Sequence, residues 1–308
     1  MLMGTAIGGI FRRDAPADST AADRLTWGAE PVTGTLREQR YRANAQILVL
    51  SLPILHWADV GGGSVIWRES SSLGTGVLRF LEFSGFSSPE HAGGLNRLGF
   101  LRELSRVTEN GASESLYFGL MTASPEETAE EARRALHPTA KGVTYTTIDG
   151  RITKGSVETV VAHFIAPAQW SAKSRNELVE RARMALSASS PKPPEFDTRG
   201  VEARPFLQVL ADILRQRDRA DSHFVYNGRL YHLWLEKSAD PKATAYFRKR
   251  GLVSAGAQVV RAAARLRREA GGRESDFRVW VDEQATQPIP LRIEYQAKSY
   301  LRLIFEAE

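Results

Sequence analysis

The chain has 308 residues, of which 42% are hydrophobic and 25% charged, with 41 Lys and Arg against 36 Asp and Glu and no cysteine. These are the proportions of an ordinary globular protein, long enough to bury a sizeable core without staples. The missing cysteines exclude disulfides, iron–sulfur clusters, thiolate zinc sites and cysteine nucleophiles. The basic excess is spread along the chain instead of forming a stripe, which argues against a nucleic-acid partner.

The start, MLMGTAIGGIF followed by Arg12 and Arg13, is apolar with its charge behind it. An export signal carries that charge in front, so the segment reads either as a clipped remnant of such a signal or as a loose terminus. Residues 1–36 as a whole, rich in Ala, Asp, Thr, Gly and Pro, are expected to be a flexible N-terminal segment. Residues 37–308 then form a single β-rich domain with helical insertions. Tyr41–Leu52 is a strand. Gly61–Gly63 is read as the turn of a long hairpin over 40–69, with the next strand beginning at SVIWRES. The longest apolar run, 47–57, is interrupted by Ser51, Pro53 and His56, and falls short of the ~18 residues of a membrane-spanning helix. Leu78–Phe83 is a third strand. FSGFSSPEHAGGLNRLGFLREL then mixes aromatic residues with glycine and serine, in the manner of a lid or binding edge.

Ser124-Pro125-Glu126-Glu127 gives a helix start, with Ser124 as cap and Glu127 completing a capping box, and that helix should reach Leu136. Strands follow at Thr144–Ile148 and Ser156–Phe164, then a second helix over 171–188. The proline-rich loop 187–205, with Pro191, Pro193 and Pro194, forbids regular pairing. Pro205 opens a third helix whose apolar stripe is Phe206, Val209, Leu210, Ile213 and Leu214, a pattern that means core packing. Strands flank Asn227-Gly228, a strong hairpin signal. Residues 258–269 stay open between helix and strand: their Ala and Arg content favours a helix, while the strands on either side favour a strand. The densest basic stretch, Arg261–Arg268, lacks interleaved aromatic residues and reads as a solvated face. The last stretch, 277–308, alternates with a period of two (Phe277, Val279, Val281; Leu291, Ile293, Tyr295; Leu301, Leu303, Phe305) and reads as a three-stranded meander with tight turns that closes the domain.

Two segments carry a resemblance. One is the strand from Tyr41-Arg42-Ala43 to Gly61–Gly63. The other runs from VYNGRLYHLWLEK to FRVWVDEQATQPIPLRIEY, where Trp280, Asp282, Glu283 and then Pro290-Leu291-Arg292-Ile293 resemble a W-x-(D/S)-D…P-(V/L)-R-(I/L) ending. These segments resemble a group of bacterial envelope proteins known only as a domain of unknown function. That resemblance implies a strongly curved antiparallel sheet, like the half-barrel of periplasmic lipoprotein carriers, and carries over no catalytic residue. The middle of the chain, with its expected helices, departs from the pattern.

The motifs of common enzymes are absent: no G-x-S-x-G, phosphate loop, dinucleotide fingerprint or H-E-x-x-H occurs. Gly61–Gly63 joins strands and opens no helix that could hold a phosphate. Glu126, Glu127, Glu130 and Glu131 complement a helix dipole. Counting outward from Asn227-Gly228 pairs His223 with His232 across a hairpin, and a metal site there would need a third ligand such as Glu236 or Asp221. The expectation is nevertheless two strand histidines and no metal. Tryptophans on or beside strands either line a cavity or fill the core.

The resulting expectation is an α+β fold: a large curved antiparallel sheet, half-barrel-like, with about three helices packed against it. The expected function is non-enzymatic binding of an apolar small molecule, a lipid or an envelope component, with Trp57, Trp67, Phe83, Phe86, His91, Trp234 and Trp280 as ligand-binding residues. No catalytic residue, cofactor or metal is expected. Peripheral association with the envelope fits this reading, with periplasm or cell envelope favoured over cytoplasm and the oligomeric state open. Two alternatives stand beside it: a hydrolase centred on His91 or on the His223–His232 pair, and an interaction protein whose sheet is simply filled.

Overall fold

A computed structural model describes residues 34–49, 52–72, 76–93, 96–108, 113–123, 143–153, 156–166, 175–191, 202, 204–216, 219–226, 229–271, 274–298 and 301–308. Thirteen strands among them form one antiparallel sheet in the order β7-β6-β5-β4-β3-β2-β1-β13-β12-β11-β10-β9-β8. The N-terminal half is a meander of β1 (Thr35–Val49), β2 (Leu52–Ser72), β3 (Gly76–Ser87), β4 (Leu98–Val107), β5 (Ser113–Ala123), β6 (Val143–Thr153) and β7 (Ser156–Ala166). The C-terminal half is a second meander of β8 (Arg219–Tyr226), β9 (Arg229–Ala239), β10 (Val259–Arg268), β11 (Ser275–Asp282), β12 (Arg292–Lys298) and β13 (Leu301–Ala307). β13 pairs with β1, Tyr41 opposite Ala307 and Ile47 opposite Leu301, so the last strand joins the two halves. The closing meander is present as expected, except that β11 and β12 are linked through residues 283–291 instead of a tight turn.

The curved antiparallel sheet expected from the sequence is therefore the fold, but Gly61–Gly63 is not its turn. The hairpin reverses between Val49 and Leu52, which pair, and the three glycines lie inside the long strand β2. Gly61 and Gly63 are there because neighbouring backbone comes too close for a side chain. A Cβ on Gly61 would stand 2.0 Å from the Phe86 carbonyl oxygen, and one on Gly63 2.6 Å from that of Ser84. Just before them the register slips between Ala43 and Ala45, a bulge that increases local twist. Asp59 sits across from this slip with φ at 57°, its N–H donating to Asn44 Oδ1 at 3.0 Å. Bulge and glycines together let a strand of this length curl.

Three helices occur among the described residues. α1 (Arg175–Ser187) lays Leu178, Ala182 and Leu186 on Tyr145, Met121 and Phe100. α2 (Phe206–Arg215) follows Pro205, as the sequence suggests. α3 (Pro241–Lys249) is not among the expected helices, although Asp240 caps it and Pro241 opens it; Ala243 N–H donates to Asp240 Oδ1 at 2.9 Å. Its Phe247 packs with Val259, Trp280 and Leu291. The helix expected over 125–136, and all of the flexible segment expected over 1–36 except residues 34–36, lie outside the described residues. The open stretch 258–269 is strand. Val260, Ala262 and Ala264 are buried between β9 and β11 while Arg261, Arg265 and Arg267 face outward, so pairing on both sides overrides the helical preference of alanine. The proposed glycine-rich loop is also mostly strand: β3 continues to Ser87 and β4 begins at Leu98.

The sheet curls until its two ends share one apolar seam. Leu101, Phe118, Leu120, Ile148, Ile152 and Val157 from β4–β7 cluster with Val225 and Leu230 from β8 and β9. Among the described residues no ladder joins β7 to β8, so the curl stays open. Immediately before α2 the chain touches the free edge of β8, where Val225 N–H donates to the Arg204 carbonyl at 2.7 Å. It then turns inward, and α2 occupies the concave face.

Candidate ligand cavity

α2 divides the interior. One side of it, with Val209 and Ile213, packs into the core formed by β8–β11. Phe206, Leu207, Leu210, Ala211 and Leu214 border a cavity of about 640 Å³, Leu214 belonging to that core as well. The opposite walls come from alternate positions of the strands: Val65 and Trp67 on β2, Leu81 and Phe83 on β3, Leu101 on β4, Leu120 on β5, Phe277 and Val279 on β11, Ile293 on β12 and Phe305 on β13. Pro288, Ile289 and Pro290 of the β11–β12 connection complete the wall. Phe83 and Phe305 meet edge to face, with ring centroids 5.7 Å apart.

Polar groups on this lining are few: Glu82, Thr122, Ser275 and the phenols of Tyr226, Tyr231 and Tyr295. Burial, with the neighbouring tyrosines, pushes the Tyr226 phenol up to about 12, and burial also raises that of Tyr295, so both are neutral groups in this wall. Glu82 is tied to Arg102 Nε at 2.5 Å, and that guanidinium lies over Phe100. The chamber is thus apolar, with its acid already partnered.

α2 is anchored along its length. At its start, Glu103 of β4 accepts the N–H groups of Leu207 at 2.6 Å and Gln208 at 2.7 Å. Burial pushes the Glu103 carboxyl up to about 8, against the pull of those two donors and of Arg204. In its middle, Asp212 pairs with Arg204, with Arg79 at 3.6 Å and with Arg215 at 3.3 Å. Arg79 also holds Glu69 at 2.8 Å, and the guanidiniums of Arg79 and Arg215 lie 5.0 and 5.1 Å from the Trp67 ring. At its end, the Lys237 ammonium donates to the carbonyls of Leu214 and Gln216. Burial and the neighbouring Arg79 pull the Arg215 guanidinium below its ordinary value.

Of the seven residues expected to bind ligand, the structure brings two, Trp67 and Phe83, to this cavity. Trp57 is 49% exposed on the β1–β2 arm, among the exposed Leu52, Ile54 and Leu55. Phe86 is exposed, its ring over Gly62. His91 is exposed, with Nδ1 3.1 Å from the Asp59 carbonyl. Trp234 lies against His232, ring centroids 3.8 Å apart, and Trp280 is buried under α3, donating its N–H to Asp240 at 2.9 Å. Neither His91 nor the His223–His232 pair, the two centres considered for a hydrolase, lines the cavity. The α2 residues that do were missed because the stripe of α2 was taken as core, and the strand residues because the curl of the sheet decides which face looks inward. Val209 and Ile213 of that stripe are core, and only the curl of the sheet reveals what Phe206, Leu210 and Leu214 face.

No helix among the described residues is long and apolar enough to cross a membrane. Fold and site together define a curved, barrel-like antiparallel β protein with an interior helix and an apolar chamber. No family model matches the chain, and no curated protein matches it. Among solved structures it is similar to the crystal structure of a β-barrel-like protein of domain of unknown function DUF1849 from Brucella abortus. The identity is 9% and the TM-score 0.42, with 88% of this chain and 95% of that chain covered.

Proposed function

We propose that this protein binds an apolar molecule, or the apolar part of an amphiphile, in the chamber between α2 and the concave face of the sheet. One observation carries the reading: a space of about 640 Å³ with an almost wholly hydrophobic and aromatic wall. That volume lies within the ~300–1,000 Å³ of sites that enclose small ligands. Covering such a wall with an apolar ligand removes it from water, which is favourable by roughly 25 cal/mol per Å². The open volume supports a binding role over a sheet that is simply filled. The sequence resemblance to bacterial envelope proteins supports the envelope as its setting and a lipid or lipid-modified partner as its ligand.

The test is titration with an uncharged naphthylamine fluorophore, comparing the natural protein with the variant Leu210→Trp, which puts bulk into the chamber from α2. Saturable binding, weakened at least tenfold in the variant, is the expected result. Equal binding by both proteins, with the variant folded, would mean that the fluorophore sits elsewhere and would remove the support.

A further inference from the structure

The hairpin register places His223 directly opposite His232. Their chain neighbours Phe224, Tyr226 and Tyr231 line the cavity, so the alternation of a strand puts both histidines on the hairpin's other face, where their side chains are 43% and 18% exposed. The rings stack with centroids 4.5 Å apart and planes 16° from parallel. A third residue arrives from beyond β10. Glu269 N–H donates to the Leu230 carbonyl at 3.0 Å, which holds the turn against the hairpin. Its carboxylate Oε1 then stands 3.1 Å from His223 Nε2 and 3.8 Å from His232 Nδ1. One ligand atom from each of these three side chains lies within 4.8 Å of the others.

We propose that His223, His232 and Glu269 form a binding site for a divalent transition-metal ion of zinc type, with water in the fourth position. Zinc bonds of ~2.0–2.2 Å put tetrahedral neighbours ~3.4 Å apart, so small side-chain rotations bring these atoms into range. The other nitrogen of His232 faces Asp221 Oδ2 at 3.9 Å, the placement of an outer carboxylate that orients a ligating imidazole. The charges facing the site are Glu269 and Asp221 against Arg267, whose guanidinium is held over Trp234 at 5.3 Å. Two carboxylates against one guanidinium leave a negative pocket for a dication. Two imidazoles and a carboxylate also suit Cu²⁺, which binds such sets more tightly than Zn²⁺. The ion would staple β8, the free edge of the sheet, to β9 and the end of β10, which is where a sheet is open to unwanted pairing. The site is independent of the chamber.

Tag-free protein stripped with a chelator is titrated with Zn²⁺ against a chromophoric competitor, and separately with Co²⁺ for its visible spectrum. One Zn²⁺ per chain and a tetrahedral Co²⁺ band are expected. His223→Ala and His232→Ala should each weaken binding at least tenfold, Glu269→Gln by less, and His91→Ala not at all. No saturable binding, or binding that survives both histidine substitutions, would overturn the site. Should an alanine variant fail to fold, Glu269→Gln decides, since unchanged affinity and an unchanged Co²⁺ spectrum in that variant exclude the carboxylate and with it the proposal.

Discussion

Pro205 leaves α2 without a side-chain cap, so the free N–H groups of the first turn must find an acceptor elsewhere. Glu103, far away in sequence but adjacent in the curled sheet, provides it. Glu103→Leu would leave the two N–H donors unmatched, and at ~1–3 kcal/mol for each such group the variant should lose about 2–6 kcal/mol in urea unfolding. Glu103→Gln, which keeps an acceptor, should lose less. The folded carboxyl holds its proton to about pH 8, while its ordinary value is 4.5, so folding takes up a proton between the two. Its contribution is complete below 4.5 and fades as the pH rises through about 8. Asp149, raised by burial to about 6, acts in the same direction. Between pH 5 and 8.5 the urea midpoint of the natural protein should therefore fall relative to that of Glu103→Gln, and a constant difference would contradict the burial of this carboxyl.

At the scale of elements, the curl depends on β2 and its glycines. Gly61→Ala drives a methyl group into the Phe86 backbone carbonyl, which cannot move without breaking the β2–β3 ladder. Gly62→Ala first meets the tip of the exposed Phe86 ring, 2.7 Å away and free to swing, although the Tyr41 carbonyl is also close at 3.0 Å. Gly61→Ala should thus be the more destabilising of the two, by ~2 kcal/mol or more, as expected when backbone must shift. Equal thermal midpoints for the two variants would contradict this. The same glycines show what sequence can and cannot give. The alternation of 277–282 and 301–307, the Pro205 helix and the His223–His232 register are local, and each is legible. A glycine run reads as a turn because turns are the commoner local reason for glycine; its reason here is Phe86 and Ser84, in a strand that follows β2. Residues 259–268 had two consistent local readings, and only the strands on both sides choose between them. α3 shows a miss of another kind, since Asp240-Pro241 is as clear a start as Ser124-Pro125 and was legible throughout.

For the whole molecule, one sheet of two meanders wraps one helix, and the chamber lies between the two. Trp67 and Phe83 were legible as candidates because they are large aromatic residues on strands. Phe305, Ile293 and Leu210 were not, since which face of a strand or helix looks into a void is a property of the closed shape. The chamber should also set stability. An apolar ligand that binds the folded protein alone raises its thermal midpoint, by a stabilisation that grows as RT ln(1 + [L]/Kd), so protein stripped by organic extraction and refolded should melt below protein as purified.

The most direct measurement of the central claim is mass spectrometry of an organic extract of the purified protein, beside a control protein prepared identically and the Leu210→Trp variant. The account expects one apolar species at near-stoichiometric amount in the natural protein and at least tenfold less in the variant and the control. An extract indistinguishable from the control, together with no gain in thermal midpoint on adding apolar probes to the stripped protein, would contradict it.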